Sequence, residues 1–322
     1  MSRVRMLAAA LALSLAAGST TSSAEDWPGR PIRFVVCFPA GGSTDVAARI
    51  VGEYVSRSLG QPIVIENRSG ANGNIGIEAA VKGGSDGYTF LVCTDATTVN
   101  PHLYKMSVDV LQDLIPVAQL SRQPIVLAAH PDLGVKSLAE LITLAKQQPG
   151  LRYATGSGSG SAQHMVAQWF AQIAGLKLEQ VPYRGGAPAI NDLIAGHVKL
   201  GSLGSTPLIP HYKAGTLYLL AQSMATRAIS LPDVPTFQEA GMRGLVIDQW
   251  VGIFAPAGTP PAAAVRLGTE IRKALADPTV RDRLLASGQE PAPGTSEAFT
   301  GFVHEEFGKY RQLVHQLDIK LE

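Results

Sequence analysis

Over nearly its whole length this chain alternates short apolar runs with helical segments, and no low-complexity linker interrupts the pattern. Ile32 to Phe38 is a strand by its β-branched and aromatic content. The loop Pro39 to Ser43 then opens a helix in which Val46, Ile50, Val51, Val55 and Leu59 recur at helical spacing. Thr44 or Asp45 can cap that helix, and Gly60 ends it. Ile63 to Ile65 and Tyr88 to Cys93 read as further strands, separated by the Gly/Asn-rich stretch Asn67 to Gly76 and a helix near Ile77 to Lys82. Such alternation predicts an α/β fold of parallel sheets covered by helices.

Leu151 to Ala154, Leu178 to Val181, Val198 to Leu200 and Leu217 to Ala221 read as strands of a second sheet. Helix starts are marked by Ser137 with Glu140 and Thr236 with Glu239 as capping boxes, and by the pairs Thr259-Pro260 and Asp277-Pro278 as N-cap and first helical residue. Two sheets without a linker are joined by strands that cross between them, and Val117 to Leu127 and Val246 to Phe254 are placed to do so. The expected division is one lobe of residues 25–122 plus 247–322 and a second of 123–246, enclosing one cleft that closes on a hinge.

Arg3 and Arg5 precede an apolar run from Met6 to Ala17 and a small polar stretch to Ala24, the pattern of a secretory signal peptide spanning residues 1–24. Cleavage is expected after Ala24, giving a mature chain from Glu25 in the periplasm. The apolar run is too short to span a bilayer. Removing Arg3 and Arg5 from the 27 basic residues leaves 25 against 26 acidic ones, a formal charge of −1. That balance carries no footprint for nucleic acid.

Only two cysteines are present, Cys37 and Cys93, with no CxxC and no Cys/His metal spacing. Each ends an apolar run. They are read either as two buried thiols or as one disulfide between neighbouring strands in an oxidising compartment.

Three loops carry candidate chemistry. Ala40, Gly41, Gly42, Ser43, Thr44 and Asp45 form a glycine-bearing turn between a strand and a helix, where free N–H groups and the helix dipole attract an anion. Asp45 is expected to cap the helix rather than touch the anion. The second loop, Thr155 to Ser161, offers Ser157, Ser159 and Ser161 ahead of a helix containing His164. Its glycines do not meet the GxGxxG spacing, so no dinucleotide or other cofactor is expected. The third, Tyr183 to Ala189, contributes Gly185, Gly186, Ala187 at the cap and Pro188 in the first helical turn. Arg184 can pair with a carboxylate or stay on the surface. One such loop in each lobe lets two helix N-termini grip the two ends of a dianion.

Enzymatic signatures are missing: the sequence contains no GxSxG, SxxK, HExxH or GxxxxGK[ST]. Glu305 and Glu306 are adjacent and read as a solvated helix face, and Trp250 as core.

Taken in order, Ile32 to Asp45, Glu66 to Gly76 (ENRSGANGNIG), Asp86 to Thr89 (DGYT), Asn100 to Tyr104 (NPHLY), Val181 to Ala189, Leu231 to Thr236 (LPDVPT) and Ala255 to Pro260 (APAGTP) resemble the Bug-type solute receptors of tripartite tricarboxylate transporters. The resemblance spans nearly the whole mature chain. It implies a type II periplasmic binding fold and capture of a di- or tricarboxylate, acidic amino acid or aromatic carboxylate between two lobes. It further implies a monomer that delivers its ligand to membrane permease subunits. By position, Pro39 to Asp45, Ser157 to His164 and Gly185 to Pro188 correspond to the family's three ligand loops. A periplasmic enzyme acting on a carboxylate and a ligand-sensing subunit of a signalling system are the alternative functions.

Overall fold

A computed structural model of the chain describes residues 27–320; the signal segment lies outside the described residues. The first stretch runs β1 (Ile32–Val36), α1 (Ser43–Leu59), β2 (Ile63–Asn67), α2 (Asn74–Lys82), β3 (Thr89–Thr94), α3 (Ala96–Val99) and α4 (Val110–Asp113). Strand β4 (Leu114–Ala129) then leads to α5 (Leu138–Gln147), β5 (Leu151–Thr155), α6 (Ala162–Ala174), β6 (Leu178–Pro182), α7 (Gly186–Ile194), β7 (Leu200–Gly204), α8 (Ser205–Lys213) and β8 (Tyr218–Gln222). The chain returns through β9 (Asp248–Pro256), α9 (Pro261–Ala276), α10 (Pro278–Ala286), β10 (Glu290–Pro291) and α11 (Ser296–Gln316).

The two lobes share one strand. Strands β2, β1 and β3 are parallel neighbours, as are β6, β5 and β7, and the sheet order is β2-β1-β3-β9-β4-β7-β5-β6. The 16-residue β4 pairs antiparallel with β9 along Leu114 to Pro124, then with β7 and β8 along Ile125 to Ala129. The returning crossing is pinned beside it, where Ser223 Oγ donates to the carbonyl of Ile247 and accepts from the N–H of Ile125. Both crossings anticipated from the sequence are therefore present, the first on a strand longer than read and the second on a strand of the same length shifted by two residues.

Each half of the sheet is covered on both faces, as expected for strands that read as continuous apolar runs. In the first lobe Phe34, Val36 and Phe90 pack against Val51, Leu267, Ile271 and Leu284, while Val35, Leu91 and Trp250 face Ile77, Phe299 and Val303. In the second, Leu127 and Tyr153 pack with Met165, Phe170 and Phe237, and Ala154 and Leu203 with Ile190, Leu193 and Leu208. Helix α11 straddles the two: Phe299 and Val303 join the first-lobe core, Tyr310 and Leu313 the second.

Cys37 and Cys93 are disulfide-bonded, with Cα atoms 5.3 Å apart. The register explains the pairing, since Val36 sits opposite Val92 on the parallel strands β1 and β3, bringing the next residue of each strand side by side.

Several local expectations shift. The N-cap of α1 is Gly42 without a side-chain cap, so neither Thr44 nor Asp45 caps that helix. Helix α7 begins one residue before the proposed cap Ala187, with Gly185 at the N-cap, because the Gly185 φ of 155° is open to glycine. Helix α9 begins at Pro261 rather than at Pro260. Glu306 is buried, accepting from Trp250 Nε1 at 3.3 Å and Lys309 Nζ at 2.9 Å, and so is not solvated. Its place in the stripe Phe299, Val303, Glu306, Tyr310, Leu313 accounts for this.

Candidate functional site

The first loop leaves the carboxyl end of β1, where ligand sites in parallel sheets gather. Its shape is held from behind by Asp45, whose carboxylate accepts from Gly41 N–H at 3.0 Å, Arg49 Nε at 2.9 Å and Asn67 Nδ2 at 3.0 Å. Burial opposes ionisation of Asp45, but the bonds from Arg49, Gly41 and Asn67 outweigh it and hold the carboxyl below its ordinary range. Asp45 thereby consumes the N–H of Gly41. The first-turn N–H groups of Ser43 and Thr44 have no acceptor within the helix and stay available at the positive end of a 17-residue helix.

The facing loops leave the carboxyl ends of β5, β6 and β7. Gly156 N–H donates to Gln163 Oε1 at 2.8 Å, and Gly160 N–H to His164 Nδ1 at 3.0 Å. Ser161 is the N-cap of α6: its Oγ accepts from His164 N–H at 3.3 Å and donates to Gly158 O at 2.9 Å. Burial pushes His164 down to about 4, so near neutral pH it is an uncharged acceptor that shapes the loop. A Cβ built on Gly156 would lie 2.7 Å from Gly186 Cα, and one on Gly185 2.7 Å from Pro39 Cγ. The third loop is thus wedged between the second and the first, and glycine is sterically required at Gly156 of the second loop and Gly185 of the third.

Between these loops lies an inner cavity of about 30 Å³ lined by Phe38, Pro39, Gly42, Ser43, Thr44, Thr94, Gly156, Ser157, Gln163, Gly186, Leu203, Gly204, Pro207 and Gln249. No charged side chain lines it. It adjoins an outer chamber of about 290 Å³ bounded by Phe38, Gly70 to Gly73, Tyr104, Gly156 to Ser159 and Pro182 to Arg184. Tyr104 bridges the lobes across that chamber, its hydroxyl donating to Ser159 O at 2.7 Å.

Of the sequence-selected residues, Gly42, Ser43, Thr44, Ser157 and Gly186 face the inner cavity, and Ser157 and Ser159 the outer chamber. Ala40 and Gly41 are exposed and line neither. Asp45, Ser161 and His164 stand behind the loops as supports, and Gly185, Ala187 and Pro188 lie beside the cavity rather than on its wall. Thr94, Gln163, Gly204 and Gln249 are wall residues that loop reading missed. Gln249 and Gln123 carried a signal, as amides next to the apolar stretches of the crossing strands. Gln123 Nε2 donates to Gln249 Oε1 at 2.8 Å, while Gln123 Oε1 accepts from Thr206 N–H at 3.1 Å and so caps α8. The two crossings are linked to the cavity wall through this pair.

Below the cavity, Asp95 follows Thr94 and is fully buried. Burial and the charge of Glu306 push its carboxyl up to about 7. Among the described residues no group of His, Cys, Asp and Glu is placed to hold a metal, and no helix is long and apolar enough to cross a membrane.

Two lobes that share one strand and close on a cavity built from glycine loops and helix N-termini define a ligand-binding protein of the two-lobed periplasmic type. Comparison with known proteins makes this specific. The family described as the tripartite tricarboxylate transporter family receptor matches residues 47–319. BugT of Bordetella pertussis is 35% identical over 303 residues, covering 93% of each chain. A Rhodopseudomonas palustris protein solved with adipate is 33% identical, with a TM-score of 0.88 over 92% of this chain and 99% of that one. MatC from the same organism, solved with bound malate, is 28% identical, with a TM-score of 0.84 over 89% and 100%. This chain belongs to the tripartite tricarboxylate transporter receptor family, and to its Bug group of periplasmic solute-binding proteins.

Proposed function

We propose that this protein is exported by cleavage after Ala24 and captures a small carboxylate between lobes formed by residues 25–122 plus 247–322 and by 123–246. It releases the ligand unchanged to membrane permease subunits and works as a monomer without cofactor. The observation that carries the reading is the inner cavity, where Ser43, Thr44, Ser157 and Gly186 converge and no charged side chain competes. Backbone N–H groups at helix N-termini are sites for a carboxylate. An uncharged cavity also suits a receptor that must let go, because no buried cation is left unpaired when the lobes open.

Its size supports the same reading. The inner cavity of about 30 Å³ holds one carboxylate group, and the 290 Å³ chamber beside it holds the rest of a small acid. Arg184, on the chamber wall, forms no ion pair among the described residues and is placed for a second acidic group. That relatives were solved with adipate and with malate supports a small dicarboxylate as the ligand. A thermal-shift screen of the mature chain against carboxylates, amino acids, sugars and cations checks this. Saturable shifts with carboxylates and an unchanged ligand by mass spectrometry are expected; turnover, or shifts with non-anionic ligands alone, overturns the proposal.

A further inference from the structure

The outer chamber has one wall that sequence reading left without a role. Gly70, Ala71, Asn72 and Gly73 all take positive φ, at 133°, 47°, 49° and 90°. Two successive residues with a Cβ in that region are costly and persist only where the surroundings hold them, most often at binding sites. Here the hold is Asn100. Its Nδ2 donates to the backbone carbonyl of Asn72 at 2.8 Å and to Asn74 Oδ1 at 2.6 Å, and its Oδ1 accepts from Asn72 Nδ2 at 2.8 Å.

This chain of bonds fixes which atom of Asn72 is free. A backbone carbonyl only accepts, so the Asn100 amide has one possible orientation, and the Asn72 amide is oriented by it in turn. The atom left over is Asn72 Oδ1, an acceptor with no partner among the described residues, on a side chain in a residue only 8% exposed. A buried acceptor without a donor is a standing penalty that a bound donor relieves.

Building on the carboxylate-receptor reading, we propose that Asn72 is a specificity-determining residue, its free Oδ1 selecting carboxylates that carry a hydroxyl over those that do not. The donor is a neutral one. No Asp or Glu lines either cavity and Arg184 lines the chamber, so an ammonium would enter beside a cation with nothing to balance it.

Isothermal titration of the mature protein with length-matched pairs tests this: succinate and malate, glutarate and 2-hydroxyglutarate, adipate and 3-hydroxyadipate, with aspartate and glutamate alongside. In the pair whose length fits, the hydroxy acid should bind about tenfold to a hundredfold tighter than its parent, and the amino acids more weakly than the hydroxy acid. In Asn72→Gly, which keeps the positive φ, the ratio should fall towards about one. Mere loosening of the loop would weaken both members and leave the ratio intact. Equal affinities in the unmodified protein, tighter binding of the amino acids, or a ratio that survives Asn72→Gly each overturn the proposal. Should that variant not fold, the ratios of the unmodified protein decide alone. If no carboxylate binds, the receptor reading itself falls and takes this proposal with it; if parent acids bind as well as hydroxy acids, only this proposal falls.

Discussion

The two faces of the cleft are built from the same kind of loop but braced differently. Behind the first stand a disulfide at Cys37, directly before Phe38, and the charged network of Asp45 with Arg49. Behind the second stand only neutral partners, Gln163, His164 and Gln180. The difference teaches that one jaw is covalently and ionically braced; on the proposed function it is the preset cradle for the anion. The other is tied by neutral hydrogen bonds that are individually modest, and on the same proposal it is the side that adjusts to the rest of the ligand.

If the covalent brace matters most, replacing both cysteines, Cys37→Ser with Cys93→Ser, should have the largest effect. The bridge joins residues 56 apart in sequence, and the chain-entropy argument puts its contribution at about 4 kcal/mol. Denaturant unfolding of the double variant should show a loss of that order; a loss near zero would remove the asymmetry between the jaws. Asp45→Ala comes next. It strands the Gly41 N–H and the Asn67 amide, and an expected loss of about 3 kcal/mol, with carboxylate affinity lowered at least tenfold, can be read by thermal unfolding and calorimetry. Unchanged affinity would show that the loop holds its shape without its carboxylate.

On the second jaw the sharper probe is pH. Burial lowers His164 from an ordinary histidine value to about 4, so the folded state favours the neutral ring. The stability this gives is complete above about pH 6.5 and drains away as pH falls towards 4, costing about 3 kcal/mol in that window. His164→Asn, which keeps an acceptor for Gly160 without titrating, should flatten the melting temperature over the same range, and an identical pH profile would exclude His164 as the cause. The smallest effect is expected for Tyr104→Phe. Losing the bond to Ser159 O removes a contact made across the cleft, so ligand affinity should drop about threefold to tenfold while the ligand-free melting temperature stays within about 1 °C.

The fold was largely legible because its signals are local. β-branched runs, helical spacing and the apolar crossing segments marked most strands, and the loops after β1 and β5 announced themselves by glycine and hydroxyl content at strand ends. What escaped depends on neighbours distant in sequence. Cys37 and Cys93 could be two thiols or one bridge until the adjacency of β1 and β3 was known. Thr94, Gly204 and Gln249 reach the cavity only because β3, β7 and β9 end beside one another, which no spacing reveals. Asn72 sat in a stretch recognised as a loop, yet its free acceptor exists only because Asn100 takes up the rest of its amide. Glu306 was readable and misread: adjacency to Glu305 suggested solvent, while its position in the apolar stripe of α11 pointed inward.

The central claim, that an uncharged cavity of helix N-termini holds a carboxylate and does nothing to it, is tested most directly by titrating the mature protein with small dicarboxylates at neutral pH and analysing the recovered ligand by mass spectrometry. The account predicts saturable one-to-one binding with the ligand recovered intact. A chemically altered ligand, or heat released only by non-anionic compounds, would contradict it.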